Sequence, residues 1–593
     1  MSQEHIHLRR DFTADRRLLA LCGIALGIGV LSTGGAWVLL TLIRFFTNLF
    51  FFQTLSMEAR SPAEHTLGVL VIAVPVIGGL LVGLIARFGS EKIRGHGIPE
   101  AIEAILYRKS LLSPKVAVLK PLASGIAIGS GGPFGAEGPI IMIGGALGSM
   151  IAQAFSLTAG ERKTLLVAGA TAGMTAVFGT PLAAVLLAVE LLLFEWRPRS
   201  LLPVIAACTV AGFVRPFLID SGAMFPLQTG VASLSALLMC IFCGLLAGAA
   251  AALMSASLYR IEDVFAKLPV HWMWWPAIGG LAVGIGGYFQ PHALGVGYDV
   301  IDSLLHNRMA LGVVLSIVAI KAIIWVLALA SGTSGGVLAP LLMMGAGIGA
   351  AVAQLFPGAD AALWPLVCMA AMLAGALGVP LTATVFAVGL TGDFNALLPL
   401  LLACGTAHAL TVLLMRRSIM TERIARRGLH VHREYSVDPH EHATVAEVMS
   451  DAPICVDASL TLAQAAEHHF GIAQPHRRYP IVSGNRLVGM LDHRLLHKAM
   501  QEYGADYPLA ALFSDTAPVF ALPGETCQAI ARRMAAQTLK CLPVVADETS
   551  LAVVGFISSS DLVKLARSGF HEEHVRERIW APQRSGLTPP TQV

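Results

Sequence analysis

Laying the sequence on itself with a shift of 201 residues puts Lys120, Ser130, Gly131, Gly135, Pro139, Met142, Gly144 and Gly148 on Lys321, Ser331, Gly332, Gly336, Pro340, Met343, Gly345 and Gly349. Thr180-Pro-Leu-Ala-Ala-Val-Leu-Leu-Ala-Val189 falls on Val379-Pro-Leu-Thr-Ala-Thr-Val-Phe-Ala-Val388 at an offset of 199. A helical bundle that reuses an apolar motif by chance does not hold eight identities in one register. The chain therefore folds here as two related halves. Repeats built from segments broken by Gly and Pro place a site where the halves meet, with helix N-termini turned inward. Such ends bind anions.

The medium follows from composition. Of 593 residues, 55% are hydrophobic and 13% charged, and the mean hydropathy is +0.69. That places the chain among integral membrane proteins. Apolar runs long enough to cross a bilayer, or to hold a hairpin of shorter helices, occupy 18–47, 66–86, 164–195, 231–258, 311–330 and 361–390. The first reads as a retained membrane helix, because no small-residue cleavage pattern follows it. Arg9, Arg10, Arg16 and Arg17 precede it, and Arg416, Arg417, Arg423, Arg426 and Arg427 follow the last run, so both ends are expected in the cytoplasm of a cell membrane. These flanks explain the net charge of +3 without nucleic acid. Nine scattered cysteines form no disulfide framework, and Cys240-x-x-Cys243 in an apolar run reads as packing, not as a metal site.

Within Gly129-Ser-Gly-Gly-Pro-Phe-Gly-Ala-Glu-Gly-Pro139 stands a carboxylate, Glu137, whose repeat partner is Leu338. An ionisable side chain at membrane depth marks an ion pathway more often than a structural role. Glycines around it let backbone N–H groups approach a ligand.

Three segments, Gly95-His-Gly-Ile-Pro99, Gly135-Ala-Glu-Gly-Pro139 and Gly336-Val-Leu-Ala-Pro340, resemble in order the anion-binding signatures of the CLC family of chloride channels and chloride/proton antiporters. The resemblance spans roughly residues 20–427. It implies an all-α polytopic membrane fold of two inverted repeats with broken, re-entrant helices, assembled as a homodimer with one pore per subunit. It makes Glu137 the gating glutamate, and it puts Gly95, His96, Gly97, Ile98, Gly135, Ala136, Gly138, Val337, Leu338 and Met420 at the anion sites. A carboxylate at a dehydrated, electropositive site competes with a permeating anion, and protonation ends the competition.

The departures from the family pattern are informative. His96 stands where most members have Ser, Met420 where they present a Tyr hydroxyl, Leu338 where they have Phe, and Ala136 where they have Arg. The position of the antiporters' second, cytoplasm-side glutamate is Leu191, with Glu190 one residue earlier, a turn of roughly 100° on a helix. Glu190 is thus a proton-handling or a structural acid, and the loss at Leu191 tilts the expectation to channel-like conduction, with exchange by another proton route as the alternative. A neutral imidazole at His96 donates one hydrogen bond and a protonated one adds a charge, so His96 is either a pH-sensitive anion ligand or a histidine hydrogen-bonded to a neighbouring carbonyl and facing the cytoplasmic vestibule. Lys120 and Lys321 are expected to add positive potential or to snorkel.

Near residue 417 the composition turns polar. Two related units follow, 443–500 and 509–567, opening at Met449-Ser450 and Phe513-Ser514. Hairpins are expected at Arg478–Val482 with Leu487–Leu491 and at Cys541–Val545 with Ala552–Ile557. This pattern resembles a tandem pair of cytoplasmic α/β CBS domains, a module that often binds adenine nucleotides; the resemblance makes Ser558 and Asp561 the candidate phosphate and ribose contacts, with a purely structural dimerisation module as the favoured alternative. The first unit has Asp492 and Leu495 at the matching positions. The expected division is 1–17, a cytoplasmic segment; 18–427, the transport domain; 428–442, a linker; the two units; and 568–593, a tail rich in Pro, Ser and Thr.

No cofactor is required for this reading; the ligands are chloride or another small anion. A cation transporter with a CBS pair would need several oxygen ligands, and membrane-depth acids are few. A hydrolase using Ser130 and His408 would leave the repeat-related Ser331 without purpose.

Overall fold

The computed structural model describes residues 17–356, 361–429 and 443–564, apart from 452, 472–473, 475–476 and 515–517. Residues 1–16 of the expected segment 1–17, residues 430–442 of the expected linker, the last three residues of the unit 509–567 and the whole expected tail 568–593 lie outside the described residues. The chain divides into two compact units, with the change at residues 429–430.

The first unit is helical. Its first half comprises α1 (Arg17–Phe52), α2 (Ala73–Phe88), α3 (Ile98–Tyr107), α4 (Pro114–Gly129), α5 (Glu137–Ala154), α6 (Ala159–Phe178), α7 (Pro181–Leu187) and α8 (Pro198–Leu218). The second comprises α9 (Leu234–Ala266), α10 (Trp275–Phe289), α11 (Tyr298–Leu305), α12 (Leu311–Ala330), α13 (Leu338–Leu355), α14 (Leu363–Leu377), α15 (Pro380–Thr391), α16 (Leu397–Leu414) and α17 (Ile419–Ala425). Among the described residues seven helices are long and apolar enough to cross a membrane. The apolar run 164–195 is two helices: Gly179 ends α6 at φ 70° and Pro181 starts α7. In 361–390, Gly378 (φ 72°) and Pro380 break the chain in the same way. Glycine tolerates the left-handed residue past a helix end, and proline suits the first helical position.

The halves touch through small residues. A Cβ on Gly79 would strike the Pro276 carbonyl and one on Gly280 the Pro75 carbonyl, so α2 and α10 cross backbone to backbone. Within the halves, Gly144 of α5 lies on the Gly169 carbonyl of α6, and Gly345 of α13 on the Cys368 carbonyl of α14. In lipid, where apolar burial adds little, such close approach is what joins helices. Phe134, fully buried, lies flat against Gly335, its own repeat partner, and the Ser124 and Ser334 hydroxyls bond across the halves at 2.9 Å.

In the second unit the strands are β1 (Ser450–Asp451), β2 (Val456–Asp457), β3 (Arg478–Ser483), β4 (Arg486–Asp492), β5 (Cys541–Val545) and β6 (Val553–Ser558). Their sheets run β1-β6-β5 and β2-β3-β4. The expected hairpins are present, with Tyr479 opposite Leu491 and Leu542 opposite Ile557. The openings of the two sequence units are exchanged. β1 pairs antiparallel with β6, and Ala443 and Val445 join the core of Ile530, Leu542, Val544 and Ile557. Leu509 and Phe513 complete the core of Val456, Leu462, Tyr479 and Leu491. Met449 covers Gly555 of β6 and Phe513 covers Gly489 of β4, each glycine making room for the other unit's opening side chain.

Candidate functional site

The two glycine turns that precede α5 and α13 meet. Gly135 N donates to Gly336 O at 3.2 Å, and Gly336 N to Gly135 O at 2.8 Å. The starts of α5 and α13 are therefore held together, each with first-turn N–H groups that have no carbonyl partner inside their own helix. Glu137 crosses to the other half, where its Oε1 accepts from Ala339 N at 3.0 Å. The residue is fully buried, and Oε2 has no partner among the described residues. Lys120 is not its counter-ion.

The third motif packs on the same point. A Cβ on Gly138 would strike the His96 carbonyl and lie 3.3 Å from Gly336 Cα. Gly97, at φ 90°, faces the Gly138 carbonyl and Met142, each 2.8 Å from where its Cβ would be. Residues 95–98, 135–138 and 336–339 thus form one cluster, and Ala136, Val337 and Leu338 lie buried in it. Not every expected amide is available to an anion. Gly95 N donates to Gly332 O at 3.3 Å, Gly97 N to Glu100 Oε2 at 3.1 Å, and Gly135 N to Gly336 O. In this structure these three amides are taken by protein acceptors, and the glycines give the cluster its shape and its cross-links.

His96 is buried and its Nδ1 lacks a partner. Met420 is buried at the start of α17, which packs on α3. It supplies no donor, and the nearby Tyr259 hydroxyl is tied to the Ile419 carbonyl at 2.5 Å. Lys120 and Lys321 do not snorkel. Both are fully buried; Lys120 Nζ donates to the carbonyls of Ile93 and Gly95, each at 2.8 Å, and Lys321 Nζ to those of Ala293 and Gly295, at 3.0 and 2.8 Å. Each lysine braces the turn ahead of a short helix. Ser130 and Ser331 donate to carbonyls three residues back, at 3.2 and 2.6 Å, as helix-end hydroxyls do.

Beside the cluster, Glu91, Lys92, Arg94, Glu100, Arg423 and Arg427 line a cavity of about 210 Å³. Arg423 presses against Gly95 and sits 3.7 Å from Glu100, while Arg427 reaches Glu100 at 3.4 Å and pairs with Glu103. Arg94 lies 4.4 Å over the Trp272 ring. Read as sequence, Arg423 and Arg427 were only a topology signal, and Arg94 was not singled out.

Glu190 lies in a π-helical turn, Ala188–Leu193, and caps α15 in the other half. Its Oε1 accepts from Leu381 N at 3.3 Å, and its Oε2 from Thr382 N at 2.8 Å and Thr382 Oγ1 at 2.6 Å. Leu191 is wholly buried. In the second unit, Asp561 is turned inward: Oδ2 accepts from Ser558 N at 3.0 Å and Ser558 Oγ at 2.6 Å, and Oδ1 from Lys564 at 2.9 Å. Burial works to raise its pKa, but these bonds outweigh it and hold the carboxyl below the usual Asp value.

Comparison with known proteins identifies the family of both units. The family described as voltage gated chloride channel matches residues 78–412, and the CBS domain matches 445–502 and 512–568. An H(+)/Cl(-) exchange transporter ClcA of Salmonella paratyphi A is 28% identical over 445 residues, covering 71% of this chain and 91% of that protein. The protein of the same name from Klebsiella pneumoniae subsp. pneumoniae is 29% identical over 341 residues, covering 54% and 71%. Among solved structures, a slow cyanobacterial Cl-/H+ antiporter aligns with a TM-score of 0.62 at 24% identity, over 70% of this chain and 98% of that one. A eukaryotic CLC transporter aligns with a TM-score of 0.61 at 19% identity, over 92% and 98%. With its crossed glycine turns, its buried carboxylate and a family match over more than half its length, the chain belongs to the voltage gated chloride channel family and carries two CBS domains.

Proposed function

We propose that the protein exchanges chloride, or a closely related anion, for protons across the cell membrane. The observation that carries this reading is the Glu137 carboxylate, seated on the Ala339 amide of the opposite half with its second oxygen unpaired. An anion needs the same amide, so anion and carboxylate compete. A proton taken by Glu137 removes its charge and yields the place. Relatives named as exchange transporters support exchange over the conduction that Leu191 had favoured. Glu190, engaged by three donors, serves as the cap of α15. His96, with an unpaired ring nitrogen beside Gly97, contributes to anion binding. The protein acts as a homodimer in the lipid bilayer with one pathway per subunit and both ends cytoplasmic. The CBS pair holds the regulatory site, with an adenine nucleotide as its ligand once the Ser558 and Asp561 pairing opens.

The test is anion efflux from proteoliposomes with proton movement recorded together. Coupled movement at a fixed ratio, lost in Glu137→Ala, is expected; anion flux with no proton movement in the unmodified protein overturns exchange. For His96→Ala, a pH response between about 5.5 and 8 that matches the parent removes that residue from anion binding.

A further inference from the structure

The second half repeats the Gly-His-Gly turn as Gly295-Val296-Gly297, and the two turns are built alike. Gly95 N donates to Gly332 O at 3.3 Å and Gly295 N to Gly131 O at 3.0 Å. Each turn is braced by a buried lysine, as described above. Gly97 (φ 90°) rests on Met142 and Gly297 (φ 77°) on Met343.

The residue that follows differs in kind. The first turn runs into Ile98, apolar and wholly buried, and the second into Tyr298. In the first half the turn stands over the start of α5, with the His96 carbonyl against Gly138. The same relation puts Gly297-Tyr298 over the start of α13, where Ala339 N holds Glu137. The phenol ring is met edge-on by Phe178 at 6.4 Å and at a tilt by Phe225 at 6.2 Å. Its hydroxyl is buried and has no hydrogen-bond partner among the described residues, and the same is true of Glu137 Oε2. About nine in ten buried polar groups are paired, so an unpaired donor and an unpaired acceptor at one helix start call for a common explanation. The phenol is also close enough to feel the charge of Glu137.

We propose that Tyr298 is a positioning residue for the gate: when an anion takes the Ala339 amide, the Tyr298 hydroxyl donates to the displaced Glu137 carboxyl and holds it aside. The Ala339 hydrogen bond to Oε1 is exchanged for one from the phenol, and no covalent bond changes. The inference rests on the reading of Glu137 as the group that competes with the anion.

Tyr298→Phe keeps the ring between its aromatic neighbours and removes only the donor. The full chain is reconstituted as the parent, Tyr298→Phe, Glu137→Ala and the double variant, and anion and proton fluxes are recorded together. With Glu137 present, Tyr298→Phe is expected to slow anion flux about three- to tenfold, the effect of one lost hydrogen bond, and to change the ratio of protons to anions. In the Glu137→Ala background it changes nothing further. Equal slowing in both backgrounds with an unchanged ratio indicates a structural role and overturns the proposal, as does no change where Glu137 is present. If Glu137→Ala matches the parent in both fluxes, the reading of the gate fails, and the role of Tyr298 with it.

Discussion

The two halves of the membrane unit share a frame and differ in what the frame carries. Lys120 and Lys321 brace equivalent turns, Gly135 and Gly336 bond to each other, and Gly79 and Gly280 make the same crossing from opposite sides. The chemistry-bearing side chains are not shared. Glu137 faces Leu338 in the repeat, His96 faces Val296, and Glu190 faces Gly389, which lies against Thr180 with no room for a side chain. On the proposed function, the paired backbone turns are the place for an anion and the unpaired side chains are what decides when it is filled. A mutation in the frame should therefore act alike in both halves, and one in the cargo should act in one only.

The largest break of this comparison is at Glu137. Glu137→Ala should abolish proton movement and leave anion flux independent of pH, while Leu338→Ala, which keeps the carboxylate, leaves proton movement coupled to anion flux; paired flux and pH recordings decide it. Next come the two lysines. Lys120→Met and Lys321→Met each remove two charge-assisted bonds to carbonyls, about 3 kcal/mol or more per site, so thermal unfolding should show equal losses. Only Lys120→Met should also weaken anion binding, because the turn it braces carries His96. Glu190→Gln should lower stability by about 1 kcal/mol, the usual worth of a helix cap, with anion flux intact. A selective loss of proton movement there would make the cap a relay instead.

The smallest effect lies in the second unit. The Asp561 carboxyl is held below its ordinary value, so its bonds stabilise the fold above the ordinary Asp pKa of about 3.9 and cease to do so as pH falls through the lower folded value. Asp561→Asn should cost about 1 kcal/mol at neutral pH. The difference should vanish in acid, followed by amide exchange in β6 of the intact protein.

Much of this was legible in the chain. The 201-residue echo announced two halves, and the three glycine segments announced where they meet, because backbone turns leave a residue-type signature in Gly and Pro. The strands of the CBS pair were marked by β-branched runs beside turn residues. What escaped has no side-chain signature or acts over long range. The partner of Glu137 is an amide of Ala339, 202 positions away. The partner of Glu190 is the start of α15, 192 positions on, where only Thr382 contributes a side chain. Exchange of Met449 and Phe513 between the CBS cores cannot be read from either unit alone. The echo of the Gly-His-Gly turn at 295–297 preserves only two glycines, too few to draw notice to Tyr298.

Phe134 against Gly335 has a consequence for how such a molecule can arise. A side chain that touches its own repeat partner sits on the axis relating the halves, and a volume on an axis has one tenant. Two copies of an ancestral segment could align their turns, lysines and crossing helices freely, but a phenyl ring at both 134 and 335 would claim the same space. Perfect symmetry was closed to this fold at its centre, and a lineage that filled the centre with an aromatic ring had to make one copy the donor and the other the host.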